Sequence, residues 1–227
     1  MKSEIMERED FILQVCRDKC VLHVGCADSP YTETRLADGT LLHCRIENLA
    51  RVQYGIDIDA AGIGLLRGAG YRNLAVGNVE EVLSAKPFGD VEFDVVVAGE
   101  VLEHLSNPGF FLDSLRPLLK SPSALLALTT TNATCAYRFL FAALTGRECV
   151  HPDHVSYYSQ STLCRLLRDH GYSVERFAYY PIGREHSKHV KRGARWALWI
   201  ADRLAYRFAP VLGDGVMVLC KSEPGED

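Results

Sequence analysis

The stretch Phe93-Asp-Val-Val-Val-Ala-Gly-Glu-Val-Leu-Glu-His104 constrains the fold of this chain more than any other. Val95 to Val97 is a β-branched run of the kind buried on both faces of a parallel sheet, and Ala98 and Gly99 are small enough to let another group approach the backbone. Ionisable side chains follow at once, so the run ends where open α/β sheets place their ligands, at the carboxyl edge of a strand. A helix beginning at about Glu100 would set Glu100, Glu103 and His104 at i, i+3 and i+4, with two carboxylates and an imidazole on one face. That spacing suits metal ligands. It equally suits a solvated first turn, where acidic groups are favoured by the positive helix end.

The remaining chain alternates strand and helix patterns around that stretch. Residues 4–18 carry Ile5, Phe11, Ile12 and Val15 at the spacing of an amphipathic helix that lids one end of the sheet. Val21-Leu-His-Val-Gly-Cys-Ala-Asp-Ser29 reads as a strand and tight turn before Pro30, the layout of a phosphate or nucleoside site. Its one glycine, Gly25, serves a dinucleotide pyrophosphate poorly. The strand from Val52 to Asp59 ends in acids: Asp57 suits both hydroxyls of a ribose, and Asp59, just before Ala60, suits a helix N-cap. Tyr71 to Val76 is a third strand, followed by Asn78, which fits either a helix cap or an adenine edge. Pro108–Leu119 has helical periodicity, Ser123–Thr129 is strand five, and Ala133–Gly146 is an apolar helical insertion covering the site. Residues 159–170 form a helix capped by Ser159 or Ser161 and closed by Gly171, before strands Tyr172–Tyr179 and Val216–Lys221. The pattern is an α/β fold with a seven-stranded, mostly parallel sheet and helices on both faces.

At 227 residues with 48% hydrophobic content, one domain over 1–227 can bury its own core. The net charge of −4 gives no general signal for nucleic acid, so no nucleic-acid partner is expected. No apolar run approaches membrane-spanning length and the polar start lacks a secretory signal, which points to a cytoplasmic protein. Eight scattered cysteines without a Cys-x-x-Cys pair read as buried free thiols. Between the last two strands, residues 182–210 hold seven Lys or Arg against two acids. Trp196, Trp199, Ile200, Leu204 and Phe208 there share one helical face. This helical insertion suits packing on its own domain, a homodimer face or peripheral membrane contact through residues 188–208, or reception of an anionic acceptor.

Taken together, the first turn, Tyr54-Gly-Ile-Asp-Ile58, Gly77-Asn-Val-Glu80 and Phe93–His104, in this order, resemble the class I S-adenosylmethionine-dependent methyltransferases. The resemblance spans residues 20 to about 180 and implies a Rossmann-like sheet. It also implies S-adenosylmethionine as cofactor, with Gly25, Cys26 and Ala27 under its methionine part, Asp57 and Ile58 at the ribose, Asn78 and Val79 around the adenine, and Gly99 lining the methyl-donor cleft. The family usually has an acid at His23 and glycines at Ala27 and Ser29, so the methionine-amine contacts depart from its pattern. Glu-x-x-Glu-His after strand four is similar to ubiquinone-biosynthesis O-methyltransferases and to small-RNA 2′-O-methyltransferases. That similarity implies a divalent metal (manganese, magnesium, iron or zinc) on Glu100, Glu103, His104 and a later histidine, for which His154 matches best and His151 is the reserve.

The reading that follows is O-methylation of a hydroxyl on a small-molecule or glycan acceptor, anionic or lipid-linked, with Glu103, His104 and His154 catalytic and a metal activating the hydroxyl. The alternatives are a histidine general base without metal, an RNA 2′-O-methyltransferase and a non-catalytic cofactor binder.

Overall fold

The computed structural model describes residues 4–5, 7–79, 86–119, 121–181 and 206–223. Its strands are β1 Glu4–Ile5, β2 Cys20–Val24, β3 Val52–Asp57, β4 Leu74–Val76, β5 Val95–Gly99, β6 Leu125–Thr131, β7 Tyr172–Tyr180 and β8 Gly215–Ser222. They form one sheet in the order β4-β3-β2-β5-β6-β8-β7-β1. All pairings are parallel except those of β8, which runs antiparallel to both β6 and β7. The expected seven-stranded, mostly parallel sheet is therefore present, with a two-residue strand added at its edge. The helices are α1 Arg8–Cys16, α2 Thr32–Ala37, α3 Leu42–Glu47, α4 Ala60–Gly68, α5 Pro108–Leu115, α6 Ala136–Thr145 and α7 Gln160–Asp169.

Every side chain from Val95 to Ala98 is fully buried, because β5 lies mid-sheet with helices on both sides. Val96 and Ala98 join Leu22, Leu126, Leu128 and the α5 and α7 residues Phe111, Leu112, Leu163 and Leu167 on one face. Val95 and Val97 join Val21, Ala127 and the α1 residues Phe11, Ile12 and Cys16 on the other. Burying an aliphatic side chain contributes about 1.5–3 kcal/mol, so a strand apolar on both faces is stable only in this position. The strand order reverses at β2, between β3 and β5, and the crevice beyond the carboxyl ends of β2 and β5 is where such sheets bind ligands.

The structure corrects several expected boundaries. Residues 4–5 are not helical, since they pair with Ala178 and Tyr179 of β7, and α1 starts at Arg8. The third strand starts at Leu74 rather than Tyr71, because Gly70 and Asn73 take left-handed conformations and make a turn. Helix α5 ends at Leu115 and passes into a 3-10 turn over Arg116–Leu118, where Pro117 cannot continue the α-helical ladder. Gly146 closes α6 with φ of 65°. Ser159, rather than Ser161, caps α7: its hydroxyl accepts from the Thr162 N–H while the Thr162 hydroxyl accepts from the Ser159 N–H. All eight cysteines are free, six of them buried.

Residues 182–205, with the basic and Trp196/Trp199 part of the insertion, lie outside the described residues, as does Glu80. Of that insertion's end, Tyr206 is buried and donates its hydroxyl to the Tyr179 carbonyl, while Phe208 is exposed. No helix among the described residues is long and apolar enough to cross a membrane.

Candidate active site

The turn after β2 is built on Gly25. Its φ is 73°, its N–H donates to the Ile56 carbonyl at 2.9 Å, and a methyl group there would stand 2.8 Å from Val101 Cγ2. Only glycine meets both the left-handed backbone and the close approach. Asp57, at the end of β3, ties this turn down: its carboxylate accepts from the Ala27 N–H at 2.8 Å and from the Asp59 N–H at 2.9 Å. Asp59 itself caps α4 by accepting from the Ala61 N–H. The two acids thus divide the roles that the sequence left open, and Asp57 is the one facing the crevice turn.

Around Asp57 the other residues expected at the nucleoside differ in their surroundings. The Asp57 carbonyl accepts from the Gly77 N–H, which brings Asn78 beside β3. Ile58 is 71% exposed, while Val79 is buried. Cys26 turns its thiol away from the crevice into a cluster with Leu41, Cys44, Ile63 and Leu66, where burial pushes its pKa up. Only the main chain of Cys26 is left to line the turn. His23 is also buried, its Nδ1 3.3 Å from that of His43, which in turn contacts Gln53 at 2.8 Å. Burial first, and the neighbouring His43 second, hold His23 well below the ordinary imidazole range.

The helix expected from Glu100 does not form. Glu100 takes φ of 57°, its N–H is tied to the Thr129 carbonyl at 2.9 Å, and only a 3-10 turn follows, over Leu102–His104. Glu100 and Glu103 are consequently not set one helical turn apart, although their carboxyls still lie close enough to act on each other. Glu100 Oε1 accepts from the Tyr180 hydroxyl at 2.6 Å and from Thr129 Oγ1 at 2.9 Å, with Arg8 Nε 3.7 Å away. Burial favours protonating Glu100, but the Arg8 charge and these hydrogen bonds outweigh it and hold its pKa below the usual carboxylate value. Glu103 is fully buried, and burial, reinforced by the charge of Glu100, raises its pKa well above that value. Glu103 Oε2 also accepts from Thr130 Oγ1 at 2.8 Å.

The loop carrying the distant histidines is clipped to this corner by backbone. The N–H groups of Val155 and Ser156 donate to the Glu103 carbonyl at 2.9 and 3.3 Å, and His104 Nδ1 contacts the Asp153 carbonyl at 3.1 Å. Because a carbonyl can only accept, Nδ1 is the donor there and Nε2 is the ring nitrogen left for other partners. His154 is brought with its ring centroid 4.6 Å from that of His104. Glu103, His104 and His154 each offer a ligand atom, and these atoms lie within 4.8 Å of one another. Glu103 Oε1 and His154 Nδ1 are buried without hydrogen-bond partners. Orphaned acceptors in a cluster of this donor type fit a divalent cation. Burial, then the two neighbouring imidazoles, lower His154 to a pKa of about 4.

Two candidates stand outside that group. Glu100 is engaged with Tyr180, Thr129 and Arg8, and His151, 5.0 Å from His154 by ring centroid, accepts from the Asp153 N–H. The structure also brings in residues not singled out from the sequence: Arg8, Thr129, Thr130 and Tyr180. The polar run Thr129-Thr-Thr-Asn132 at the end of an apolar strand was the legible signal for two of them.

Comparison with known proteins agrees with this architecture. The family described as "Methyltransferase domain" matches residues 7–176. A protein of Mycolicibacterium smegmatis described as a probable S-adenosylmethionine-dependent methyltransferase is 29% identical over 163 residues, 70% of this chain and 54% of that protein. The chain thus spans about half the length of that curated relative. Among solved structures, an S-adenosylmethionine-dependent methyltransferase from Archaeoglobus fulgidus superposes with a TM-score of 0.58 at 17% identity, covering 94% of this chain and 90% of that one. The small-RNA methyltransferase HEN1 superposes with a TM-score of 0.60 at 15% identity, over 96% of this chain and 25% of that one.

Proposed function

We propose, from the premise that this chain belongs to the class I S-adenosylmethionine-dependent methyltransferases, that it transfers the methyl group to a hydroxyl oxygen of a small-molecule or glycan acceptor with a divalent metal beside it. The observation that carries the reading is the convergence of Glu103, His104 and His154, two of which also carry a buried polar atom without a hydrogen-bond partner. An alcohol is a poor nucleophile at neutral pH, and a corner that gathers acceptor groups for a cation next to the methyl-donor crevice answers that need. S-adenosylmethionine supplies the methyl group, and a bound divalent ion supplies Lewis acidity toward the acceptor oxygen.

The chain's own residues do the rest. Gly25 and Asp57 shape the crevice turn, with exposed Ile58 offering an apolar surface beside the ribose acid. The Asp153 carbonyl fixes the tautomer of His104, a hydrogen bond of the kind that orients metal-bound imidazoles. His154, neutral at physiological pH because its pKa is lowered to about 4, presents a lone pair to a metal or to the acceptor proton. Thr130 holds one oxygen of Glu103 and leaves the other without a hydrogen-bond partner.

A second reading, metal-free general-base catalysis by His154, draws on the same neutral imidazole. Formation of S-adenosylhomocysteine with a panel of hydroxylated acceptors, before and after exhaustive chelation and after manganese is restored, separates the two. Loss on chelation and recovery on restoration supports the metal; full activity after chelation supports the base. The net charge of −4 disfavours an RNA acceptor, and binding of short RNA with a steep salt dependence would reverse that judgement.

A further inference from the structure

The methionine part of the cofactor carries an α-carboxylate that needs a cation, and the first turn supplies none. His23 stands where the family usually has an acid, but it is buried against His43 rather than directed at the crevice.

Arg8, the first residue of α1, is placed differently. Its guanidinium lies over Gly99, where a methyl group would stand 2.6 Å from Arg8 Nη2. Its Nε donates to Thr129 Oγ1 at 2.9 Å and stands 3.7 Å from Glu100. These contacts use one edge of the guanidinium and fix its plane. Among the described residues, the terminal nitrogens donate to no protein acceptor, although the side chain is only 25% exposed. An arginine this enclosed, held by one edge with its other donors unspent, is arranged for a planar anion. It sits at the carboxyl ends of β5 and β6, on Gly99 and Thr129, and near enough to the end of β2 for its charge to act on His23.

We propose that Arg8 receives the α-carboxylate of the cofactor's methionine moiety through its free guanidinium edge, with Thr129 and Glu100 holding the guanidinium in place. The proposal rests on the cofactor assignment above and gives α1 a role beyond packing. It also accounts for the glycine at 99, since any side chain there would displace the guanidinium.

The test is calorimetric binding of two ligands to the full chain: S-adenosylhomocysteine, and 5′-methylthioadenosine, which shares the adenosine and thioether but lacks the amino acid. Arg8→Met should weaken S-adenosylhomocysteine about tenfold or more and leave 5′-methylthioadenosine unchanged, the difference expected for a charged hydrogen-bonded pair. Arg8→Lys keeps the charge without the fork and should fall between, and it serves if Arg8→Met does not fold. Equal weakening of both ligands would show that Arg8 only supports α1, and no weakening of either would likewise overturn the proposal. Binding of neither ligand by the parent chain would overturn the cofactor assignment and this proposal with it.

Discussion

The Tyr180 hydroxyl donates to Glu100 Oε1 at 2.6 Å across 80 residues of sequence. The contact exists because Gly215, on the neighbouring β8, has no side chain: a methyl there would overlap the Tyr180 ring. The end of β7, the start of β8 and the corner after β5 are thus one packed unit. Removing the hydroxyl in Tyr180→Phe should cost about 1–2 kcal/mol, since Thr129 and Arg8 still hold Glu100. Gly215→Ala should cost about 1–3 kcal/mol by overpacking. Combined with Tyr180→Ala, the Gly215→Ala cost should shrink, because the ring it collides with is gone. Urea unfolding of the single and double variants measures this, and strictly additive costs would contradict the packing argument.

Metal retention tests the donor cluster without recourse to turnover. After equilibration with manganese or zinc and gel filtration, the parent chain should hold near-stoichiometric metal by elemental analysis. Glu103→Gln and His154→Ala should each lower affinity about tenfold or more, as expected when a ligand of a small donor set is lost. Glu100→Gln should retain metal better than Glu103→Gln, because its carboxylate is engaged elsewhere. A parent chain that binds no metal would leave the general-base reading in place.

Asp57 ties down the crevice turn and is the proposed ribose acid, so Asp57→Ala should show two effects. Two backbone donors lose their acceptor, which should lower stability by about 1–3 kcal/mol. Affinity for S-adenosylhomocysteine should fall more than tenfold if the carboxylate also meets the ribose. Loss of stability alone, with affinity kept, would confine Asp57 to a structural role.

The buried imidazoles predict a pH dependence with a definite sign. His43 has its pKa lowered to about 4 by burial, and His23 is lowered as well. His43 therefore binds fewer protons in the folded chain than in the unfolded one between about pH 4 and 6.5, and His23 does so below the same unfolded value. Stability from these groups is fully present above the unfolded value and is lost as pH falls through that window. For His43 the loss is about 3 kcal/mol at most, by the usual conversion of a pKa difference. Raised Glu103 acts in the opposite sense, losing stability as pH rises above the ordinary carboxylate value. Comparing chemical denaturation of the parent with His43→Gln isolates the imidazole part, and parallel pH profiles for the two chains would refute it.

Much of the sheet was legible in the sequence, because an apolar β-branched run such as Val95–Val97 is stable only where both faces are covered. The Glu103, His104 and His154 grouping was legible through a short motif and one later histidine, and these three side chains do converge. The fate of Glu100 was not legible. Helical spacing assumes helical backbone, and a left-handed residue at the strand end sends its side chain toward partners on α1, β6 and β7. Arg8 and Tyr180 were invisible for a related reason: their significance lies in contacts 80 to 121 residues away, which no local period encodes. The orientation of the Cys26 thiol was hidden too, since a turn's composition does not say which side chains fold inward.

The loop that presents His154 is fastened by its own amides to the carbonyl of Glu103. Main-chain anchorage of this kind is indifferent to which side chains the loop carries. The side chains of residues 150–153 can therefore be exchanged without loosening that clip, so the station of the imidazole and the identity of its loop neighbours need not compete for the same groups.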